Sequence, residues 1–131
     1  MSVRLLTAPL LILVAIGAAY AADPGDAAAG KTYFTQTCKQ CHSAEPGDGG
    51  GEIGPSLIGV FGRSAGVGDT RFAYSDALTN SKLVWDLKTL DRFLTDPATA
   101  VPGTTMAVPI PVKKDRDNVI AYFQSLAGGA K

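Results

Sequence analysis

The sequence predicts an all-α protein, and three observations carry that expectation. Two segments place apolar residues at helical spacing: Leu90, Phe93 and Leu94, then Val119, Ile120, Phe123 and Leu126. The alternation of a half-buried strand is absent. The stretches between the periodic segments are punctuated by glycine and proline, which suit loops rather than ladders.

The elements are read in chain order. Asp23-Pro24-Gly25-Asp26 is a helix start signal, with Asp26 as N-cap. The first helix is expected from Ala27 through Thr37, leading into Cys38, with Gly30 and Phe34 on one face. Glu45 to Glu52 reads as a surface loop, and the glycine-rich run from Ile53 to Gly68 as irregular chain. Tyr74 to Leu78 suits a short helix. Trp85 to Thr95 suits a longer one that Asp96-Pro97 stops. Ala98 to Val112 is expected to be a loop because of its prolines. The last helix is expected from Lys113 to Leu126, ended by Gly128-Gly129.

The chain of 131 residues begins with a basic Arg4 and the apolar run Leu10 to Ala22. Ala19-Tyr20-Ala21 fits the small-residue rule of signal peptidase, so residues 1–21 are expected to be a signal peptide and residues 22–131 the mature domain. The other reading is a retained membrane anchor, although a spanning helix needs about 20 apolar residues and Pro9 shortens the run. Without the leader, eleven Lys and Arg face twelve Asp and Glu. That balance excludes the basic footprint of a nucleic-acid binder.

Cys38-Lys39-Gln40-Cys41-His42 gathers both cysteines and the only histidine into five residues. Cys-x-x-Cys-His is the spacing at which a c-type haem is attached. Residues three and four apart share a helical face. Cys38 and Cys41 can therefore offer two thiols to the porphyrin vinyl groups while His42 offers an imidazole to the iron. A redox disulfide would need a βαβ setting, which is lacking. A structural zinc site would need a fourth ligand beyond two cysteines and one histidine. Export agrees with haem attachment, because free thiols would pair in an oxidising compartment.

The second axial ligand has few candidates. Met1 leaves with the leader, which makes Met106 the remaining thioether. It lies in Pro102-Gly103-Thr104-Thr105-Met106, a loop far along the chain from His42. A lone methionine more often fills a gap in a core. The loop setting and the lack of rivals favour His42 and Met106 as the axial pair.

Taken together, the motifs resemble the class I c-type cytochromes, the group of mitochondrial cytochrome c and bacterial cytochromes c2. The resemblance rests on Gly30, Phe34 and Cys38 to His42. It continues through Gly54-Pro55-Ser56-Leu57, Gly59 to Arg63, Phe72 to Ala77 and Trp85. It ends with Leu94 to Pro97, Pro102 to Met106 and Ala121-Tyr122. It implies three to five helices around one covalently attached haem c per chain, with His42 and Met106 on opposite sides of the iron. It implies that the Pro55 carbonyl accepts a hydrogen bond from His42. Tyr74 and Trp85 would donate to a haem propionate, and Arg63 would offset its charge. The bland alternative is a pair of core aromatics and a solvated arginine. It also implies that the first and last helices cross, with Gly30 and Phe34 against Tyr122. The sequence departs from the mitochondrial pattern at Leu78 (asparagine there), Phe93 (tyrosine), Thr105 (lysine) and Val108 (an aromatic).

The expected function is electron transfer rather than catalysis, since a haem with two protein ligands has no open position for substrate. A monomeric, soluble periplasmic carrier would pass single electrons between redox proteins, with no nucleic acid and no stable membrane insertion. The alternatives are a membrane-anchored or dedicated cytochrome subunit of a dehydrogenase or oxidase complex, with Leu10 to Ala22 retained, and an enzyme or gas sensor with a five-coordinate haem.

Overall fold

A computed structural model describes residues 25–51 and 53–128; the proposed leader lies outside them. The described residues form five α-helices: α1 Ala27–Tyr33, α2 Asp76–Asn80, α3 Leu87–Thr95, α4 Pro97–Ala100 and α5 Lys113–Gly128. Extended pairing among the described residues is limited to an isolated antiparallel bridge between Ser64 and Val84.

Asp26 caps α1 by accepting from the backbone N–H groups of Ala28 (2.8 Å) and Ala29 (3.1 Å). The helix then widens into a π turn over Phe34–Cys38, closed by Lys39 N–H donating to the Phe34 carbonyl. One extra residue in the turn rotates the direction in which the next side chains point. Phe34 stays in the core, while Cys38 emerges partly buried at its edge.

The frame of the molecule is the crossing of α1 and α5. A Cβ on Gly30 would lie 1.9 Å from the Asn118 carbonyl oxygen, so only glycine lets the backbones approach this closely. Phe34 then reaches Tyr122 (ring centroids 5.7 Å apart) and meets Phe123 edge-on at 6.0 Å. Asn118 is buried and satisfied, its side-chain oxygen accepting from Asp26 N–H at 2.8 Å.

α3 starts later than the sequence pattern suggested. Asp86 is its N-cap, in a reciprocal capping box with Thr89, and Trp85 precedes it. Leu90, Phe93 and Leu94 face the core as expected. Asp96-Pro97 ends α3, but the same pair also starts α4: Asp96 caps Thr99 N–H and Pro97 takes the first turn. Residues 98–100 are therefore helical, not loop. Gly128 is still in the last turn of α5 rather than past it. Arg116, buried in α5, ties three segments together. It pairs with Asp91 of α3 at 2.8 Å and donates to the Ile110 and Pro111 carbonyls.

Candidate functional site

The Cys38–His42 segment is built as a tight turn. The backbone N–H groups of Cys41 and His42 both donate to the Cys38 carbonyl, at 3.0 Å each. The glycine-rich loop closes over it: Gly51 N–H donates to Lys39 O and Gly54 N–H to Cys41 O. Asp48 organises this loop by accepting from the N–H groups of Ala44, Glu45 and Gly50.

Pro55 comes directly after Gly54, and its carbonyl lies 2.7 Å from His42 Nδ1. A carbonyl only accepts, so Nδ1 is the protonated nitrogen and Nε2 carries the lone pair. This is the tautomer in which an imidazole can ligate a metal while its other nitrogen is held by a backbone oxygen. Burial pushes the His42 pKa down, against the opposing effect of the Pro55 bond, so the ring is neutral.

Cys38 and Cys41 are free thiols, both partly buried. Burial, followed by the proximity of Cys41, raises Cys38 to about 11. Redox-active Cys-x-x-Cys pairs depend on a depressed thiol pKa, and here the shift is upward. The zinc reading fares no better, as no cluster of three or more His, Cys, Asp or Glu suited to a metal occurs among the described residues.

Met106 lies on a segment pinned at both ends by buried side chains, Val101 and Ile110. Ile110 N–H also donates to the Leu94 carbonyl at 2.7 Å. The Met106 side chain is partly buried against the core. Gly103, on the same loop, faces α2, where a Cβ on it would be 3.1 Å from Ala77 Cβ. Leu78 and Phe61 pack on the core edge as Met106 does, and Phe93 is buried against Trp85 with centroids 5.0 Å apart.

Arg63 and Trp85 are brought together by the short extended pairing, in which Trp85 N–H donates to the Arg63 carbonyl and Gly62 N–H to the Trp85 carbonyl. The Arg63 guanidinium donates to the carbonyls of Ile58 (2.8 Å) and Ser56 (3.2 Å). Its Nε is buried and has no hydrogen-bond partner. An orphaned cationic N–H inside a protein is costly unless an acceptor reaches it, so this side of the site suits an anionic group such as a haem propionate. Tyr74 joins the same neighbourhood through the loop 67–69. Its hydroxyl donates to the Val67 carbonyl and accepts from Asp69 N–H, and Gly68 between them rests on the Arg63 guanidinium. The one Tyr74 proton is thus directed to Val67.

Two features escape the sequence. Tyr122 donates to Glu45 Oε1 at 2.6 Å, and Lys31 donates to the same oxygen at 2.8 Å, so α5, α1 and the loop after the Cys-x-x-Cys-His turn share one carboxylate. Asp69 anchors the Pro55 loop by accepting from Ser56 N–H at 3.0 Å. The Asp48 turn left a sequence trace in Gly47-Asp48-Gly49; the other two did not.

A family model described as "Cytochrome c" matches residues 27–127. A cytochrome c2 of Rhodoblastus acidophilus is 47% identical over 109 residues, covering 82% of this chain and 99% of the relative. A cytochrome c of Euglena viridis is 44% identical over 103 residues, covering 78% and 98%. Among solved structures, cytochrome cH from Methylobacterium extorquens superposes with a TM-score of 0.68 at 45% identity, covering 77% of this chain and 99% of that one. The chain belongs to the cytochrome c family and is an electron-transfer protein, not an enzyme, with one covalently bound haem c.

Proposed function

We propose that the protein is an exported, diffusible single-electron carrier, and that its haem is held by Cys38 and Cys41 through thioether links with His42 and Met106 as axial ligands. The observation that carries the assignment is the 2.7 Å contact between His42 Nδ1 and the Pro55 carbonyl, which leaves Nε2 as the free basic nitrogen. The haem, when bound, supplies the reversible one-electron change at iron. The polypeptide's part is to keep both ligands still. Pro55 fixes the imidazole plane, and Val101 and Ile110 fix the loop that presents Met106. A site whose atoms move little between oxidation states costs little to reorganise, and electrons can then pass quickly. A thioether ligand in an apolar setting favours the lower charge of the reduced state and raises the potential. Phe93 and Leu78 contribute to that setting.

Arg63 would give its orphaned Nε–H to one propionate, with Trp85 beside it. Tyr74 would join by turning its hydroxyl from Val67. Periplasmic residence is supported by the leader-like Leu10 to Ala22 and by the chemistry of two thiols in an oxidising compartment. No helix among the described residues is long and apolar enough to cross a membrane. The intact mass of protein purified from the source cell tests removal of residues 1–21; an uncleaved leader would favour the anchored form.

The ligand assignment is tested with Met106→Ala. The oxidised protein is expected to show a weak far-red sulfur-to-iron charge-transfer band that the variant loses, and the variant's potential is expected to fall. Denatured protein should keep its pigment in acidified organic solvent. An unchanged band and potential in the variant would remove Met106 from the iron.

A further inference from the structure

The peptide unit between Pro55 and Ser56 is held at both ends. Its carbonyl lies 2.7 Å from His42 Nδ1, and its N–H donates to Asp69 Oδ2 at 3.0 Å. Both atoms belong to one planar, conjugated group. Carboxylate, peptide and imidazole therefore form a single chain of hydrogen bonds, in which each bond polarises the next.

Asp69 supplies the charge at the far end of that chain. Its side chain is 10% exposed, so water screens its field weakly. The N–H of Ser56 first, then that of Arg71, hold its carboxyl below the ordinary range, and it is ionised at neutral pH. Arg71 is the neighbouring cation, but its side chain is 77% exposed and its Nε stands 3.4 Å away, which makes a weak pair. Arg63 donates to the Ser56 carbonyl and so grips the following peptide, not this one. The Tyr74 hydroxyl accepts from Asp69 N–H at 3.1 Å and steadies the loop that carries the carboxylate.

We propose that Asp69 is a positioning residue for electron transfer: through the Pro55–Ser56 peptide it strengthens the hydrogen bond on His42 Nδ1 and so sets the donor strength of Nε2. The inference rests on the reading of His42 as an iron ligand. A ligating histidine whose other nitrogen is held more strongly is a more basic ligand. A more basic ligand favours the more positive, oxidised iron, so Asp69 lowers the potential.

Asp69→Asn keeps an oxygen that can accept from Ser56 N–H but removes the charge. In the haem-loaded protein it should move the exchange equilibrium with a fixed redox mediator about threefold or more toward the reduced form. In the reduced state, the His42 Nδ1 proton of the variant should resonate upfield of its parent position and exchange faster with solvent. Asp117→Asn removes the same charge from α5 and should move neither. An unchanged equilibrium in Asp69→Asn overturns the inference. So does a changed equilibrium with the Nδ1 proton unmoved, which would make the charge act through space. An equal shift from Asp117→Asn would reduce the effect to net charge and overturn it as well. The parent supplies a check that needs no substitution: its Ser56 amide must be protected from solvent exchange, and an unprotected amide also overturns the inference. If His42 does not ligate the iron, its ring protons in the reduced parent will lack the large displacement that a porphyrin ring current imposes. That failure is recognised before any variant is made.

Discussion

At Gly54 a methyl group would strike the imidazole: a Cβ there would lie 2.3 Å from His42 Cε1 and 2.7 Å from Nδ1. The ring cannot retreat without losing its 2.7 Å bond to Pro55, the next residue. Gly54→Ala should therefore cost about 2 kcal/mol of stability, as a small-to-large change in a packed site does. It should also shift the potential by tilting the imidazole. A denaturant titration of the haem-loaded protein, read at its visible band, checks this, and an unchanged midpoint would mean that the contact is relieved at no cost. Lys82 shows the opposite relation. Its φ of 58° lies in the left-handed region, where a side chain other than glycine or asparagine is strained. Lys82→Gly removes about 1 kcal/mol of strain and gives back roughly half of that to the entropy of the unfolded chain. The expected result is a small rise in melting temperature, whereas Lys82→Val should lower it.

The loop between α1 and the Pro55 turn depends on carboxylates rather than on packing. Burial pushes Asp48 up, but the backbone N–H groups of Ala44, Gly50 and Glu45 together outweigh it and hold the carboxyl below its ordinary value. Lys31 first, then Tyr122, do the same for Glu45. A carboxyl with a depressed folded-state pKa stabilises fully above its unfolded value, about 4, and loses that contribution as pH falls through the folded value. The melting temperature should thus decline as pH drops below about 4, and Asp48→Ala should flatten part of that decline while lowering stability at neutral pH. Identical acid profiles for the variant and the parent would exclude Asp48 from the effect. The sequence made some of this element legible and hid the rest, for a physical reason. Cys38 to His42 is contiguous, and Asp26 acts on the residues beside it, so neighbouring letters reveal both. Asp96-Pro97 was equally local but ambiguous, because the residues that stop one helix can start the next. The Tyr122–Glu45 bond spans 77 positions and the Arg116–Asp91 pair 25. Nothing in either local sequence specifies such a pairing; only the crossing of α1 with α5 and the packing of α3 on α5 bring those partners together.

For the molecule as a whole, the question is what keeps Lys39 to Ser75 in one conformation. No helix forms among the described residues of that stretch, and its ordered turns rest on scattered hydrogen bonds. Ordering each residue of irregular chain costs roughly 1–2 kcal/mol in backbone entropy. The buried side chains described within the stretch are few: Ala44, Val60 and Ala65. A chain of this size has little surplus burial with which to offset that cost. The haem provides the missing constraint under the proposed ligation. Cys38 and Cys41 tie it to one end of the stretch, Pro55 fixes the histidine from its middle, and Met106 ties it to the loop beyond α4. α1 and α3 each pack on α5 without these ties, but α1 is a single short helix, and isolated helices under about 12 residues are marginal in water. Protein made with Cys38→Ala and Cys41→Ala, or freed of its haem chemically, is therefore expected to lose most of its far-UV helical signal and its cooperative melt. Reattaching the pigment through the thiols of the chemically freed chain, which keeps both cysteines, should restore both. Native-like ellipticity in the haem-free chain would mean that the polypeptide holds the irregular segment by its own hydrogen bonds, and that the cofactor is a passenger in a fold already made.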